Sequence, residues 1–239
     1  MDYNVLHKNP RKFVALTGLT PREFDEVLPA FERAFHEWYP LDKTRAGKQR
    51  KRQAGGGRRS VLGSMEAKLL FVLTYTKTYP LQVVLGTLFH LSQAQANEWI
   101  HRLLPVLQGA LDTLGVLPER KGRAFARHER QQKEPGDLII DGTERRRQRP
   151  KNSKKQAQYY SGRKKMHSDK NVVLVNTHSQ RVGYLSPTVE GKLHDKAVAE
   201  QEQILYPRQT VLRQDTGFQG YQPAGCHVRQ AKKSHGVAP

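Results

Sequence analysis

The chain of 239 residues contains a single cysteine, Cys226. One cysteine excludes an internal disulfide and cannot by itself form a zinc site. Long apolar runs are also lacking, since the longest unbroken one, Leu69 to Leu73, is far too short to cross a bilayer. The N-terminus, Met1 to Asn4, lacks the basic and then apolar profile of a signal peptide. These absences predict a soluble, cytoplasmic protein.

Acidic residues are scarce as well. The sequence has 22 of them against 41 lysines and arginines, which gives a net charge of +19. Such an excess opposes compaction unless a polyanion offsets it, so it predicts nucleic acid as the partner and a place on the nucleoid. An anionic membrane surface or a ribosome would fit the charge alone. Hydrophobic residues make up 36%, low for a compact globule but above the level of a disordered chain.

Two short apolar runs each end in an aspartate. Leu138 to Ile140 lead into Asp141 and a glycine, and Thr210 to Gln214 lead into Asp215. A run of this kind predicts a buried strand that delivers a carboxylate to the edge of a sheet. For the first run, a hairpin turn at the Asp-Gly dipeptide is the alternative.

The sequence between the two runs predicts how their strands are connected. Two strands are predicted at residues 171–177 and 181–186, joined by a three-residue hairpin. The sequence from residue 191 then leads into a helix that ends at about residue 205. That helix allows a crossover, so the strand ending at Asp215 can lie parallel to the strand ending at Asp141. Two neighbouring carboxylates repel each other unless a cation lies between them, and hard oxygen ligands favour Mg²⁺ or Mn²⁺. A divalent pair at this edge could cleave a phosphodiester.

The sequence after Asp141 is the most basic part of the chain. Lysines and arginines crowd residues 145–170, with two tyrosines among them. Charge mixed with aromatic rings suits a surface that follows a DNA backbone and stacks on bases, although a charged loop without contacts would have the same composition. The predicted DNA-binding residues in this segment are Arg145, Arg146, Arg147, Tyr159, Tyr160, Arg163, Lys164 and Lys165.

Residues 1–42 are predicted to be helical. Thr20, Pro21 and Glu23 form a capping box with proline at the first helical position. The apolar spacing that follows indicates a helix that packs without taking part in chemistry. Residues 43–60 form a basic, glycine-rich linker, which is either a flexible arm on phosphates or a solvated tether.

Residues 61–118 predict a helix-turn-helix domain. Three short helices with a tight turn before the last are typical of that motif, whose final helix enters the major groove. A three-helix bundle that binds no DNA would give the same pattern. The side chains expected to face the DNA are Gln93, Gln95, Asn97, His101 and Arg102.

Four segments, LIIDGTERRRQRP, QYYSGRKKMHSDKN, GKLHDKA and VLRQDTGFQGY, resemble those of DDE-type transposases of bacterial insertion sequences, in particular the insertion-sequence five type. The resemblance runs from about residue 56 to residue 221. It implies an α/β fold with a ribonuclease H-like mixed sheet, preceded by the all-α helix-turn-helix domain. It also implies cleavage at element ends and strand transfer with three acids and two metal ions. Asp141 matches the first acid and Asp215 the second, which makes both of them expected catalytic and metal-binding residues. We also expect a homo-oligomer on DNA.

The sequence departs from the family at the third acid, a glutamate expected well downstream of the second aspartate. Residues 216–239 contain neither Asp nor Glu. The acids at Glu144, Glu190, Asp195, Glu200 and Glu202 all precede the last strand, so none matches the family position. The sequence therefore predicts a C-terminally truncated chain with a partial endonuclease domain at residues 137–239, inactive by itself. A truncated DNA-binding regulator of transposition is the first alternative, and a general RNA- or ribosome-binding protein is the second.

Overall fold

The computed structural model describes residues 1–44, 47–51, 60–131 and 137–230, and the chain divides into two compact units, Met1–Leu117 and Pro118–Pro239. Within the described part, no helix is both long enough and apolar enough to cross a membrane.

The described residues of the first unit are almost entirely helical. Its helices are α1 (Tyr3–His7), α2 (Pro10–Thr17), α3 (Pro21–Trp38), α4 (Met65–Thr78), α5 (Gln82–Leu88) and α6 (Gln93–Thr113).

Helix α3 begins as its sequence predicts. The hydroxyl of Thr20 accepts a hydrogen bond from the backbone N–H of Glu23 at 3.2 Å, and the Glu23 carboxylate accepts one from the N–H of Thr20 at 2.7 Å. Both orphan donors at this helix start are thus satisfied reciprocally. The prediction of a capping box is confirmed.

One apolar core serves all of the first unit. Phe24 and Phe31 of α3 are fully buried together with Leu69 of α4 and Leu103 of α6. The division drawn from the sequence between residues 1–42 and 61–118 therefore does not separate two cores. Of the basic linker between them, residues 45–46 and 52–59 lie outside the described residues.

Helices α4, α5 and α6 form the predicted helix-turn-helix. Helix α5 ends in a tight turn in which the N–H of Leu91 donates to the carbonyl of Gly86 at 2.8 Å. A Cβ atom at position 86 would lie 2.6 Å from the Leu91 carbonyl oxygen, so only glycine fits. Ser92 and Gln95 then form a second capping box, which starts α6.

The second unit is a curled mixed sheet with helices. Its elements are α7 (Phe125–Gln131), β1 (Leu138–Arg146), α8 (Ser153–Tyr159), β2 (Tyr160–Ser161), β3 (Met166–Asn176), β4 (Val182–Leu185), β5 (Val189–Glu190), α9 (Asp195–Gln201), β6 (Thr210–Gln214) and β7 (Cys226–Gln230). The strand order is β2-β3-β1-β6-β7, and β4 and β5 also pair with β3. Strand β1 is antiparallel to β3 and parallel to β6.

Several predicted boundaries in this unit were wrong. Strand β1 continues through Gly142, which pairs with Val172 of β3, so the alternative of an Asp-Gly hairpin turn is excluded. Strand β3 begins at Met166, inside the segment interpreted as a basic loop, and α9 ends at Gln201 instead of near residue 205. The hairpin at residues 178–180 is confirmed.

Strand β7 was not predicted from the sequence. It pairs in parallel with β6, with Leu212 opposite Val228, and so covers the edge of the sheet beyond β6. Residues 231–239 lie outside the described part of the chain. Leu138, Ile140, Val172 and Leu212 of the central strands form a second apolar core under α9.

Candidate functional site

The register of β1 and β6 brings two aspartates to one end of the sheet. Ile140 of β1 pairs with Gln214 of β6. The next residue is Asp141 in β1 and Asp215 just after β6. Neighbouring strands lie about 4.8 Å apart, so the two aspartate backbones emerge side by side. Ile140 and Gln214 are buried, whereas both aspartates are exposed. The prediction that these two strands are parallel neighbours is confirmed.

A glycine N–H holds each aspartate. The Asp141 carboxylate accepts a hydrogen bond from the N–H of Gly142 at 2.8 Å, and the Asp215 carboxylate accepts one from the N–H of Gly217 at 2.8 Å. Each bond engages one oxygen of its carboxylate and leaves the negative charge in place. Two exposed carboxylates with fixed orientation are hard donors of the kind that Mg²⁺ or Mn²⁺ takes together with water and phosphate oxygens. The residues present therefore fit a divalent ion, and Asp141 and Asp215 would hold it.

A third carboxylate, that of Asp195, lies against both glycines. A Cβ atom at position 142 would lie 2.4 Å from its Oδ1, and one at position 217 would lie 3.2 Å from its Oδ2. The sequence argument set Asp195 aside because it precedes the last strand. The available signal was a glycine shortly after each aspartate, since two glycines leave room for a further group.

Asp195 takes part in a buried charge network. The ammonium of Lys170 lies 2.9 Å from its Oδ1 and 3.3 Å from Oε1 of Glu144. The same ammonium donates to the carbonyl of Leu193 at 2.6 Å, and Ser168 donates to Glu144 at 2.9 Å. Lys170 is the last residue of the basic run at residues 145–170, but its side chain is only 6% exposed, so it is not part of a DNA-binding surface.

This network favours the ionised form of the Glu144 carboxyl in spite of its burial. Burial by itself would raise the pKa of its carboxyl, but hydrogen bonds from Ser161 and Ser168 and the charge and hydrogen bond of Lys170 lower that pKa below its ordinary value. Lys170 thus neutralises carboxylates on either side of it.

The structure describes no complete metal cage. Among the residues it describes, no three side chains of His, Cys, Asp and Glu come close enough to hold one metal ion together. Asp195 is turned toward Lys170, so the donors at the open end of the sheet are those of Asp141 and Asp215.

The predicted DNA-binding residues of the second unit separate into two groups. Arg145 donates to Asn171 at 2.7 Å and Arg147 to Asp169 at 2.7 Å, and the guanidinium of Arg147 also covers the ring of Tyr159. The other predicted residues are exposed, namely Arg146, Tyr160, Arg163, Lys164 and Lys165. The sheet therefore uses part of the basic segment for its own packing.

The predicted DNA-facing side chains of α6 separate in the same way. Gln95 accepts from the N–H of Ser92 in the capping box, and Asn97 accepts from Gln82 at 2.9 Å. Arg102 is half-buried, with its guanidinium 4.1 Å from the ring of Tyr39. Gln93 and His101 are exposed.

Comparison with known families identifies both units. Residues 140–236 match the family model described as DDE superfamily endonuclease, and residues 60–113 match the one described as helix-turn-helix of DDE superfamily endonuclease. The chain belongs to the DDE endonuclease superfamily. DNA binding and recombination follow from that membership, and DDE endonucleases use divalent metal ions. Neither the curated proteins nor the solved structures contain a match.

The predicted fold class of this DDE endonuclease is confirmed. A helical region with the helix-turn-helix precedes a mixed sheet with helices, as in a ribonuclease H-like DDE domain. Asp141 and Asp215 both lie within the residues matched by the endonuclease model.

Proposed function

We propose that this DDE endonuclease is the transposase of a bacterial insertion sequence of the five type. In this proposal it acts in the cytoplasm, on the nucleoid, as a homo-oligomer that binds element ends. It cleaves them with Mg²⁺ or Mn²⁺ held by Asp141 and Asp215 when a third acid is supplied, and it is inactive by itself because residues 216–239 contain neither Asp nor Glu. The observation that carries the proposal is the parallel pairing of β1 with β6, which brings Asp141 in β1 and Asp215 just after β6 side by side where that pairing ends. Acids at the centre with cations around them suit the cleavage of a polyanion.

The residues of this chain divide the work of that reaction. Bound divalent ions would activate a water or a 3′-hydroxyl and stabilise the leaving oxygen of a phosphodiester. Asp141 and Asp215, each oriented by a glycine N–H, would fix where the ions sit. Arg163 extends the basic surface to the acidic edge, since its guanidinium lies 3.9 Å from Oδ2 of Asp195, and it would hold a DNA phosphate there.

Recognition of DNA is assigned to both units. Gln93 and His101 on α6 are the exposed side chains of the predicted set that would reach base edges. Arg146, Lys164 and Lys165 would contact the phosphate backbone, which fixes position without reading sequence.

The test is cleavage of DNA that carries the terminal repeats flanking the chain's own reading frame, with Mg²⁺ or Mn²⁺, by the chain alone and by the chain joined to a downstream reading frame that supplies a glutamate. Asp141→Asn and Asp215→Asn should each reduce cleavage about a thousandfold, because electrostatic stabilisation of the transition state is lost. Binding to the same DNA should persist. Glu200→Gln, on the exposed part of α9, is the matched control and should cleave like the wild type.

Two outcomes would count against the enzyme. Cleavage that survives Asp141→Asn would remove that residue from catalysis. Specific binding of element ends without cleavage by either form of the chain, combined with reduced transposition on co-expression, would favour the regulator. Equal affinity for end DNA and random DNA would argue against both.

A further inference from the structure

We propose that Asp195 is a positioning residue that sets the spacing between Gly142 in β1 and Gly217 just after β6, and that Lys170 holds it in place. The inference rests on the proposed function, because it assigns a support to the metal-binding edge. Asp195 lies on neither β1 nor β6, yet its carboxylate lies against Gly142 within β1 and against Gly217 just after β6. It begins α9, which therefore carries the support to the end of the sheet.

The first argument is the close fit at Gly142 and Gly217. A Cβ atom at position 142 would overlap all three terminal atoms of Asp195, at 2.4 Å from Oδ1, 2.5 Å from Cγ and 3.0 Å from Oδ2. One at position 217 would approach Oδ2 to 3.2 Å. Since Gly142 and Gly217 also orient Asp141 and Asp215 through their N–H groups, a shift of Asp195 must move the groups that orient the metal-binding carboxylates.

The second argument is the rigidity of the support. Asp195 and Lys170 are both buried, and the ammonium is fixed from three sides by Asp195, Glu144 and the Leu193 carbonyl. A buried charge pair that lost one member would leave the other uncompensated, so the side chain of Asp195 has little freedom to move.

The partners of Asp195 differ from those of the two aspartates that would bind the metal ion. Both oxygens of Asp195 already face cations of the protein, Oδ1 facing Lys170 at 2.9 Å and Oδ2 facing Arg163 at 3.9 Å. Asp141 and Asp215 instead accept from backbone N–H groups and are exposed. The chemistry of the three carboxylates therefore differs, with two presented outward and one paired inside.

The experiment combines two readouts on the full chain. Mn²⁺ affinity is measured by the electron paramagnetic resonance signal of free Mn²⁺. Stability is measured by urea unfolding in the absence of metal, followed by circular dichroism. The variants are Asp195→Asn, which keeps the shape of the side chain, Gly142→Ala, which displaces it, Asp195→Ala, and Gly142→Ala combined with Asp195→Ala, which removes the overlapping atoms. Asp141→Asn is the reference for loss of a metal-binding carboxylate. Gly162→Ala is the control, because nothing lies within 4 Å of a Cβ atom there.

The positioning role predicts a specific pattern. Gly142→Ala should weaken Mn²⁺ binding and raise the unfolding equilibrium constant, each about 10-fold or more, as overpacking of a tight site does. In the Asp195→Ala background the same alanine should change the unfolding constant less than about 3-fold, because the overlapping atoms are gone. Asp195→Asn should keep Mn²⁺ affinity within about 3-fold while it destabilises the fold by unpairing Lys170.

Three results would overturn the inference alone. The first is that Asp195→Asn weakens Mn²⁺ binding as much as Asp141→Asn does. The second is that Gly142→Ala leaves Mn²⁺ binding unchanged. The third is that Gly142→Ala changes the unfolding equilibrium constant equally with and without the Asp195 side chain. A wild-type chain that binds no Mn²⁺ would instead overturn the proposed function, and the inference with it.

Discussion

The two units of this DDE endonuclease bury different kinds of side chain. Among the described residues, the first unit buries polar side chains only at Thr17, Lys68 and Thr74. The second unit buries many more around a smaller apolar core, namely Ser161, Ser168, Lys170, Asn171, Asn176, Ser186, Asp195, Thr210 and Gln214. A core of apolar side chains needs only volume and shape, whereas a polar core needs a partner for every group.

The two buried lysines show what this difference means. Lys68 of the first unit donates to the backbone carbonyls of Gly63 and Ser64, and burial lowers the pKa of its ammonium. Lys170 of the second unit instead joins two buried carboxylates beside the acidic edge. Lys68 binds the carbonyls that precede the first turn of α4, whereas Lys170 holds two carboxylates in place next to a candidate metal site. The unit that carries chemistry thus contains the buried charge network.

The largest effect is expected from Lys170→Ala. It would leave Glu144 and Asp195 buried without their cation, which costs about 3–5 kcal/mol. Both tryptophans, Trp38 and Trp99, lie in the first unit, so tryptophan fluorescence follows that unit alone. In urea, the circular dichroism transition of the second unit should move to lower concentration, and the fluorescence transition should stay in place.

Lys164→Ala is the control for that experiment, because Lys164 is exposed in the same unit. If both transitions moved together after Lys170→Ala, the buried charges would stabilise the whole chain, and the contrast between the units would fail.

A smaller effect is expected from Gly86→Ala in the helix-turn-helix. The new Cβ atom would lie 2.6 Å from the Leu91 carbonyl oxygen, so the turn must open at a cost of about 1–3 kcal/mol. Here the fluorescence transition should move and the second unit should not respond. Gly109→Ala in α6 is the matched control, since its nearest contact would be 3.9 Å away and alanine favours a helix by up to about 1 kcal/mol. An unchanged transition in Gly86→Ala would show that the turn is not tight.

Loss of the capping box of α3 should cost less again. Thr20→Ala removes the hydroxyl that accepts from the N–H of Glu23, at a cost of about 1 kcal/mol in the fluorescence transition. Arg22→Ala on the same helix removes only an exposed pair with Glu26 and should change little. An equal loss of stability in Thr20→Ala and Arg22→Ala would mean that fraying of the first turn of α3 does not destabilise the core.

The smallest effect is expected from pH. Because the folded-state pKa of Glu144 is lowered, its contribution is complete above the ordinary value of 4.5 and is lost as pH falls below that value toward the folded pKa. The second unit should therefore weaken on acidification through that window, and Glu144→Gln should flatten the slope. Glu23 also has a lowered pKa, through hydrogen bonds from the backbone and hydroxyl of Thr20, so the first unit should show its own weak slope, removed by Glu23→Gln. If Glu144→Gln left the slope of the second unit unchanged, the network would not set its acid response.

Local signals in the sequence were sufficient to predict several helices and strands of the protein. The capping box at Thr20, and the apolar runs ending at Asp141 and Asp215, predicted the start of α3 and the two parallel strands. Strand β7 could not be found this way, because its apolar alternation is limited to Cys226 and Val228, and the segment is held as a strand by its pairing with β6.

The fates of individual polar side chains were beyond the reach of the sequence. Lys170 and Arg163 look alike in a run of cations, yet the side chain of one is 6% exposed and that of the other is 68% exposed. Gln95 and Gln93 are two residues apart on α6, and only Gln95 is engaged, in the cap of the helix. Such differences arise from contacts between residues far apart in the chain.

The sequence by itself determined the charge of the protein, its helix-turn-helix, and the delivery of two aspartates by two strands, because composition, capping and apolar periodicity are local properties. Only the tertiary structure decided that Asp195 lies against Gly142 and Gly217 and that Lys170 is buried beside it. The physical reason is that a close contact between β1, α9 and the turn after β6 depends on the packing of three segments, which no local pattern encodes.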